Sequence, residues 1–211
     1  PLEMHKVRVV QKLNLLPVDE RLRAIQKAGN NTFLLQNKDI YLDMLTDSGV
    51  NAMSDRQTAA MHLADDAYAG SETFNRLKVA IKEVFGTDNV LPAHQGRACE
   101  NILAERFVKP GTVAIMNFHF TTTKAHVTRC GGEVVEVLHK KGLIPQSDDP
   151  FKGDMDLQEL RRVITEYGPD KVAYVRVEAG TNIIGGQPVS LENMFAVADI
   201  CHEFGVPSIL D

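Results

Sequence analysis

The 211-residue sequence has no tryptophan, only 6% aromatic residues and only three cysteines. Cys99, Cys130 and Cys201 are odd in number and widely spaced, which favours reduced, buried thiols over a disulfide framework. No apolar run approaches the roughly 20 residues that a membrane span requires. The first ten residues contain no apolar signal-peptide core. We therefore expect a cytoplasmic protein that has no membrane partner.

Basic residues are outnumbered by acidic ones: the sequence has 23 lysines and arginines and 28 aspartates and glutamates, and its net charge is -5. A basic patch for nucleic acid is therefore not expected. The phosphate fingerprints G-x-G-x-x-G and G-x-x-x-x-G-K-[ST] are absent, which weighs against nicotinamide dehydrogenases and nucleotide triphosphatases. His94, His119 and His126 show neither H-x-x-x-H nor C-x-x-C spacing, so no His/Cys transition-metal site is expected.

Strand-like and helix-like patterns alternate along most of the chain. Short apolar runs, rich in valine and isoleucine, predict strands at 90–91, 112–116, 133–137, 171–177 and 206–210. Capping residues and helical periodicity predict helices after Ser54 and Ser71, over 98–107 and 122–130, after Asp156, and from Ser190 to Gly205. This order predicts an α/β fold with a largely parallel sheet and a ligand crevice beyond the strand carboxyl ends. Because the chain stops just past a buried-type strand, at Asp211, we expect it to be part of a longer polypeptide.

Polar residues follow several of these strands. Gln95-Gly96-Arg97 combines a glycine that lets the backbone approach a ligand, a helix start and a cation, which suits a phosphate. Taken alone, however, the triplet favours a tight turn with a solvated arginine. The stretch FHFTTT (118–123) could form a stacking face for a planar ligand, or an aromatic core pair with a threonine cap. Asn182 could bond a ring substituent, and a carboxylate at Asp211 could hold a pyridinium nitrogen protonated.

These stretches resemble the β-eliminating lyase family of pyridoxal-phosphate enzymes, which includes tyrosine phenol-lyases and tryptophanases. The resemblance runs in register from about residue 28 to residue 211 and also includes LTDSGVNAMSD (45–55), DDAYAGSETF (65–74), FKGDMDL (151–157) and GGQPVSLENM (185–194). It implies the aspartate aminotransferase-type fold of pyridoxal-phosphate enzymes (fold type I), incomplete at the C-terminus. Residues 1–45 would form an N-terminal segment, an arm and part of the small domain. Residues 46–211 would form the first part of the cofactor-binding large domain.

The resemblance also implies roles for individual residues. The pyridoxal 5'-phosphate ligands would be Gln95, Gly96 and Arg97 at the phosphate, Phe120 on the ring face, Asn182 at the phenolic oxygen and Asp211 at the ring nitrogen. Tyr68 resembles the general acid, which serves the site of a neighbouring subunit. Phe33, Thr46 and Ser48 resemble substrate contacts. Gly49 and Asp66 fall where the family binds a monovalent cation such as K⁺, but the family carries glutamate at the second position, so the shorter Asp66 departs from that pattern.

The leaving group is indicated by Thr121, where tyrosine phenol-lyases carry threonine and tryptophanases carry aspartate. The compact turn VKPGTV (108–113) is also similar to tyrosine phenol-lyases, whereas Glu178 departs from both branches and would place a charge near the cofactor. The implied reaction is the conversion of tyrosine to phenol, pyruvate and ammonia. Tryptophanase activity, a same-fold aldolase or aminotransferase, and a non-catalytic fragment are the alternatives.

In the family, the lysine that carries the cofactor lies well beyond the position of Asp211. We therefore expect that a C-terminal portion or a second chain supplies it, that this chain alone is inactive, and that the assembly is a homo-oligomer, either a dimer or a tetramer.

Overall fold

The computed structural model describes residues 15–41 and 53–211. The chain divides into two compact units, Pro1–Val90 and Leu91–Asp211. No helix within the described ranges is both long enough and apolar enough to cross a membrane.

The described part of the first unit is helical, with α1 at Val18–Lys27, α2 at Asp55–Leu63 and α3 at Glu72–Phe85. The predicted caps are confirmed, since the hydroxyls of Ser54 and Ser71 each accept a hydrogen bond from the third backbone N–H that follows. Gly86 ends α3 with a φ of 73°, a left-handed conformation that glycine adopts without strain. No residue of these three helices is buried. The capping residues of α2 and α3 therefore fix where these two helices begin, while the apolar residues of all three helices find no core among the described residues of this unit.

The second unit is built on a four-stranded, all-parallel sheet in the order β2-β1-β3-β4. The strands are β1 at Val113–Met116, β2 at Glu133–Glu136, β3 at Val172–Val177 and β4 at Ser208–Leu210. The helices are α4 at Gly96–Phe107, α5 at Thr121–Arg129, α6 at Leu157–Tyr167 and α7 at Leu191–Phe204. The α/β prediction with a parallel sheet is confirmed, as are four of the five predicted strands.

The strand predicted at Val90-Leu91 is wrong. This segment pairs with no strand in the part of the chain that the structure describes, and the side chain of Leu91 is 79% exposed. Pro92, the next residue, has no N–H to donate to a neighbouring strand and restricts the backbone before it. The short apolar run is therefore a connecting segment that leads into α4.

Two layers of core cover the two faces of the sheet, because alternate residues of β1 point to opposite sides. Val113 and Ile115 belong to the cluster formed with α6 and α7, which includes Leu160 and Val197. The second cluster, on the other face, joins α4 and α5 to the sheet through Ala104, Ala114, Met116, Val127 and Tyr174. Full burial of each large apolar side chain contributes about 1.5–3 kcal/mol, so both helix layers are held firmly on the sheet.

Candidate functional site

A cleft with a volume of about 230 Å³ opens beyond the carboxyl ends of β1, β3 and β4 in the second unit. The residues that line it are Gly96, Arg97, Glu100, Phe120, Thr122, Arg176, Glu178, Asn182 and Asp211. The segments that follow three parallel strands and the first turns of two helices meet here. This is the position at which open parallel sheets bind their ligands.

The first turn of α4 forms one wall of the cleft. Gln95 occupies the N-cap position without a capping bond from its side chain. A Cβ added at Gly96 would meet no other atom within 4 Å, so the backbone here borders open space. Arg97 is exposed beside it. Free amides at the positive end of a helix, together with a guanidinium, suit an anion such as phosphate.

The start of α5 forms the neighbouring wall. Phe120 is half-buried at the N-cap position of α5. The hydroxyl of Thr122 donates to Glu100 Oε2 at 2.6 Å, and the hydroxyl of Thr123 donates to the other oxygen of the same carboxylate. This carboxylate therefore ties α4 to α5. Thr121 is exposed, and Thr122 rather than Thr121 lines the cleft.

Three charged side chains form the floor of the cleft. Arg176 is buried in β3, with only 4% of its side chain exposed. Its Nε donates to Asp211 Oδ2 at 3.1 Å, and its Nη2 donates to the same oxygen. Its Nη1 lies 3.7 Å from Glu178 Oε2, which is an ion pair rather than a hydrogen bond. Neither Nη1 nor Oε2 has a hydrogen-bond partner among the described residues.

The environment of Glu178 opposes its ionisation. Burial raises the pKa of the Glu178 carboxyl, and the positive charge of Arg176 offsets part of that rise. The backbone of Glu178 is fixed by the buried Asn117, whose side chain accepts from Glu178 N at 3.0 Å and donates to Glu178 O at 2.9 Å. The carboxyl is therefore held at the cleft by a rigid support rather than by a mobile loop.

The sequence-predicted cofactor residues lie together in this unit. Gly96, Arg97, Phe120, Asn182 and Asp211 all line the cleft, and Gln95 immediately precedes its α4 wall.

The predicted residues of the first unit are only partly described. Phe33 and Tyr68 are exposed, as is Asp66. The other predictions for this unit, Thr46, Ser48 and Gly49, lie outside the described residues. Over 15–41 and 53–211, no group of three or more His, Cys, Asp or Glu side chains is arranged to hold a metal ion.

Sequence reasoning missed Arg176 and Glu100 as lining residues, and it included Thr122 only as part of the stretch 118–123. The signal for Arg176 was present, because it is a charged residue inside the otherwise apolar strand KVAYVRV (171–177). An arginine in a fully buried strand needs partners, and the two carboxylates that serve it flank the cleft. Glu100 gave no such signal, since its threonine partners are more than 20 residues away in sequence.

A sequence model of the family described as beta-eliminating lyase matches residues 43–211. The tyrosine phenol-lyase of Nostoc punctiforme is 44% identical over 209 residues, which cover 99% of this chain and 45% of that protein. The tyrosine phenol-lyase of Pasteurella multocida is 41% identical over 211 residues, which cover 100% of this chain and 46% of that protein. The chain thus spans a little less than half the length of these curated relatives.

Solved structures with the same fold include aspartate aminotransferase from Thermus thermophilus, with a TM-score of 0.53 and 20% identity over 74% of this chain and 39% of that one. Cystalysin from Treponema denticola, whose crystal structure contains pyridoxal 5'-phosphate, matches with a TM-score of 0.52 and 15% identity over 73% of this chain and 38% of that one. At these identities the likeness shows the fold alone. The predicted aspartate aminotransferase-type fold is confirmed.

Proposed function

The chain belongs to the beta-eliminating lyase family, and from this membership we propose that it forms part of a pyridoxal-phosphate-dependent tyrosine phenol-lyase. The reaction is the β-elimination of tyrosine to phenol, pyruvate and ammonia. The observation that carries the proposal is the cleft, in which a helix N-terminus with Arg97, the ring of Phe120, the amide of Asn182 and the carboxylate of Asp211 border one space.

The cleft fits pyridoxal 5'-phosphate on chemical grounds. The open space at Gly96 and the charge of Arg97 suit its phosphate, and Phe120 suits its planar ring. Asn182 can donate to its phenolic oxygen, and the Asp211 carboxylate can accept from a protonated ring nitrogen. The unbonded Nη1 of Arg176 and Oε2 of Glu178 also favour a polar ligand, because buried polar atoms are rarely left without partners.

When bound, the cofactor supplies the electron sink for loss of the α-proton. Arg97 and the first amides of α4 bind its phosphate, and Asp211 keeps a proton on its ring nitrogen. Tyr68 of a neighbouring subunit donates a proton to the departing aromatic carbon. Thr121 bonds the phenol oxygen, and Phe33, Thr46 and Ser48 contact the substrate.

The assembly extends beyond this chain. The lysine that binds the cofactor covalently comes from a segment beyond Asp211 or from a second chain, and "complete enzyme" below means this chain together with that lysine. The complete enzyme is a dimer or tetramer, because Tyr68 serves the site of a neighbouring subunit. Its proposed location is the cytoplasm. Gly49 and Asp66 are the proposed K⁺ ligands. Residues 1–45 and 46–211 are the proposed N-terminal segment and large-domain portion.

The test is to measure pyruvate release by the complete enzyme from tyrosine and from tryptophan at equal concentration. We expect a higher kcat/KM for tyrosine. Tyr68→Phe provides the matched control, because it should abolish elimination while leaving cofactor binding unchanged. A higher kcat/KM for tryptophan would assign the protein to the tryptophanase branch, and inactivity toward both amino acids would reject the proposed reaction.

A further inference from the structure

Arg176 links two acidic side chains at the floor of the cleft. It binds Asp211 through two guanidinium nitrogens and lies in ion-pair distance of Glu178. The proposed role of Asp211 is to accept a hydrogen bond from the protonated ring nitrogen of the cofactor. Arg176 and Glu178 lie behind it, and neither has been given a part in the reaction above.

The ion pair fixes the Asp211 side chain. The backbone of Asp211 is already held at both sides, since Asp211 N donates to Val177 O at 2.9 Å and Asp211 O accepts from Ala179 N at 2.8 Å. Both guanidinium bonds then go to Oδ2, which leaves Oδ1 without a donor among the described residues. An arginine fork of this kind imposes orientation on a carboxylate, and the carboxylate remains half-exposed at the cleft.

Without Glu178, the charge of Arg176 would weaken the electrostatic attraction of the Asp211 carboxylate for a protonated ring nitrogen. A carboxylate paired with one buried guanidinium is neutral as a unit and has little attraction left for a second cation. Burial opposes ionisation of Glu178, but the adjacent positive charge of Arg176 favours it, and the ionised carboxylate restores one net negative charge to the three side chains. The other charges that line the cleft, Arg97 and Glu100 of α4, are one of each sign.

Stability does not account for this arrangement. Burial of Arg176 and Glu178 opposes both charges, and their closest atoms are left 3.7 Å apart without a hydrogen bond. Apolar residues of similar volume usually serve a buried strand at least as well. A buried ion pair whose facing atoms form no hydrogen bond is better explained by a functional role at the cleft.

We propose that Arg176 is a positioning residue that orients the Asp211 carboxylate, and that Glu178 balances the charge of Arg176 so that Asp211 keeps the ring nitrogen of the cofactor protonated. This inference rests on the proposed function for the identity of the cofactor. It concerns two residues, Arg176 and Glu178, that have no part in the reaction described above.

The experiment uses the complete enzyme loaded with pyridoxal 5'-phosphate labelled with ¹⁵N in the ring, without substrate. The ¹⁵N chemical shift reports whether the ring nitrogen carries a proton, and a pH titration gives its proton affinity. Glu178→Gln keeps the shape of the side chain and removes its charge, so the proton affinity should fall about tenfold or more. Glu105→Gln is the matched control, since it breaks the surface pair of Glu105 with Arg129 outside the cleft and should leave the shift unchanged.

The double variant Arg176→Met with Glu178→Gln separates positioning from charge, because it preserves the net charge of the cleft. The proton affinity of the ring nitrogen should recover toward the wild-type value. The dissociation constant of the cofactor should nevertheless be about tenfold larger than that of the wild type, because Asp211 is no longer oriented. Full wild-type binding and protonation in the double variant would overturn the positioning role.

An unchanged ¹⁵N titration in Glu178→Gln, with wild-type cofactor binding, would overturn the balancing role and leave the proposed function standing. Failure of the wild-type enzyme to bind pyridoxal 5'-phosphate would overturn the proposed function and this inference together.

Discussion

Arg176 and Asp211 are 35 positions apart in the chain, yet two nitrogens of the Arg176 guanidinium bind a single carboxylate oxygen, Asp211 Oδ2. The parallel pairing of β3 with β4 brings them together, because it sets Arg176 beside Ile209 and Val177 beside Leu210. The pair lies where the two strands end, at the floor of the cleft. The pairing of the two strands thus places Arg176, a charged residue in a buried strand, where it supports Asp211 at the candidate site.

Replacement of Arg97 should weaken cofactor binding. Arg97→Ala in the complete enzyme should raise the dissociation constant of pyridoxal 5'-phosphate about tenfold or more, because a charged hydrogen bond to the phosphate is lost. Arg106→Ala is the control on the same helix, since Arg106 packs over the ring of Phe107 and does not line the cleft. Equal dissociation constants for wild type and Arg97→Ala would refute the phosphate assignment.

Neutralisation of Asp211 should impair catalysis while preserving the fold. Asp211→Asn removes the charge proposed to face the ring nitrogen, so kcat of the complete enzyme should fall by about two orders of magnitude. Far-UV circular dichroism should remain that of the wild type. Asp199→Asn, an exposed position on α7, should leave kcat unchanged. Retention of full activity by Asp211→Asn would mean that another group serves the ring nitrogen.

Truncation of Leu160 should strongly destabilise the second unit. Leu160 of α6 is completely buried against the sheet, so Leu160→Ala should lower the free energy of unfolding by about 2–5 kcal/mol. Leu191 at the start of α7 is 61% exposed, and Leu191→Ala should change the same quantity by less than about 1 kcal/mol. Urea unfolding of the two variants measures the difference. Similar losses in both would contradict the burial on which the core assignment depends.

Thr121 should influence the choice of aromatic leaving group. Thr121→Asp introduces the residue that tryptophanases carry, so the ratio of kcat/KM for tryptophan to that for tyrosine should rise roughly tenfold. Thr128→Asp introduces the same charge at an exposed position of α5 and should not alter the ratio. If Thr121→Asp leaves the ratio unchanged, the neighbouring Thr122, which does line the cleft, becomes the residue to test.

The raised pKa of Cys201 should lower the stability of the protein at alkaline pH. Burial raises the pKa of its thiol from 9.0 to about 11. Because the folded-state pKa exceeds the unfolded one, the folded state binds this proton more tightly, and the contribution is fully present below pH 9.0. It is lost as the pH rises toward about 11, with a total change on the order of 3 kcal/mol.

The measurement is the free energy of unfolding of wild type and of Cys201→Ala between these two pH values. The difference between the two proteins should narrow across that window, and a constant difference would contradict the raised pKa. A thiol reagent provides an independent check, since native Cys201 should be protected while the exposed Cys99 reacts.

The sequence determined the elements whose signals are local. Ser71 and Gly86 bound α3, and Asp156 caps α6 by accepting from the N–H groups of Gln158 and Glu159. Such signals can be read directly because the cap and its partners are only a few residues apart. The valine-rich β3 was predicted within one residue of its observed start for the same reason, since its composition alone requires burial.

Tertiary structure decided what depends on partners distant in sequence. Val90-Leu91 has the composition of a strand but finds no strand to pair with among the described residues, and pairing, not composition, makes a strand. Glu100 became part of the site because the packing of α4 on α5 brings it to the hydroxyls of Thr122 and Thr123. Arg176, Glu178 and Asp211 form one charged cluster because two strands from separate parts of the chain end side by side, and a local pattern carries no information about which strand lies next to which.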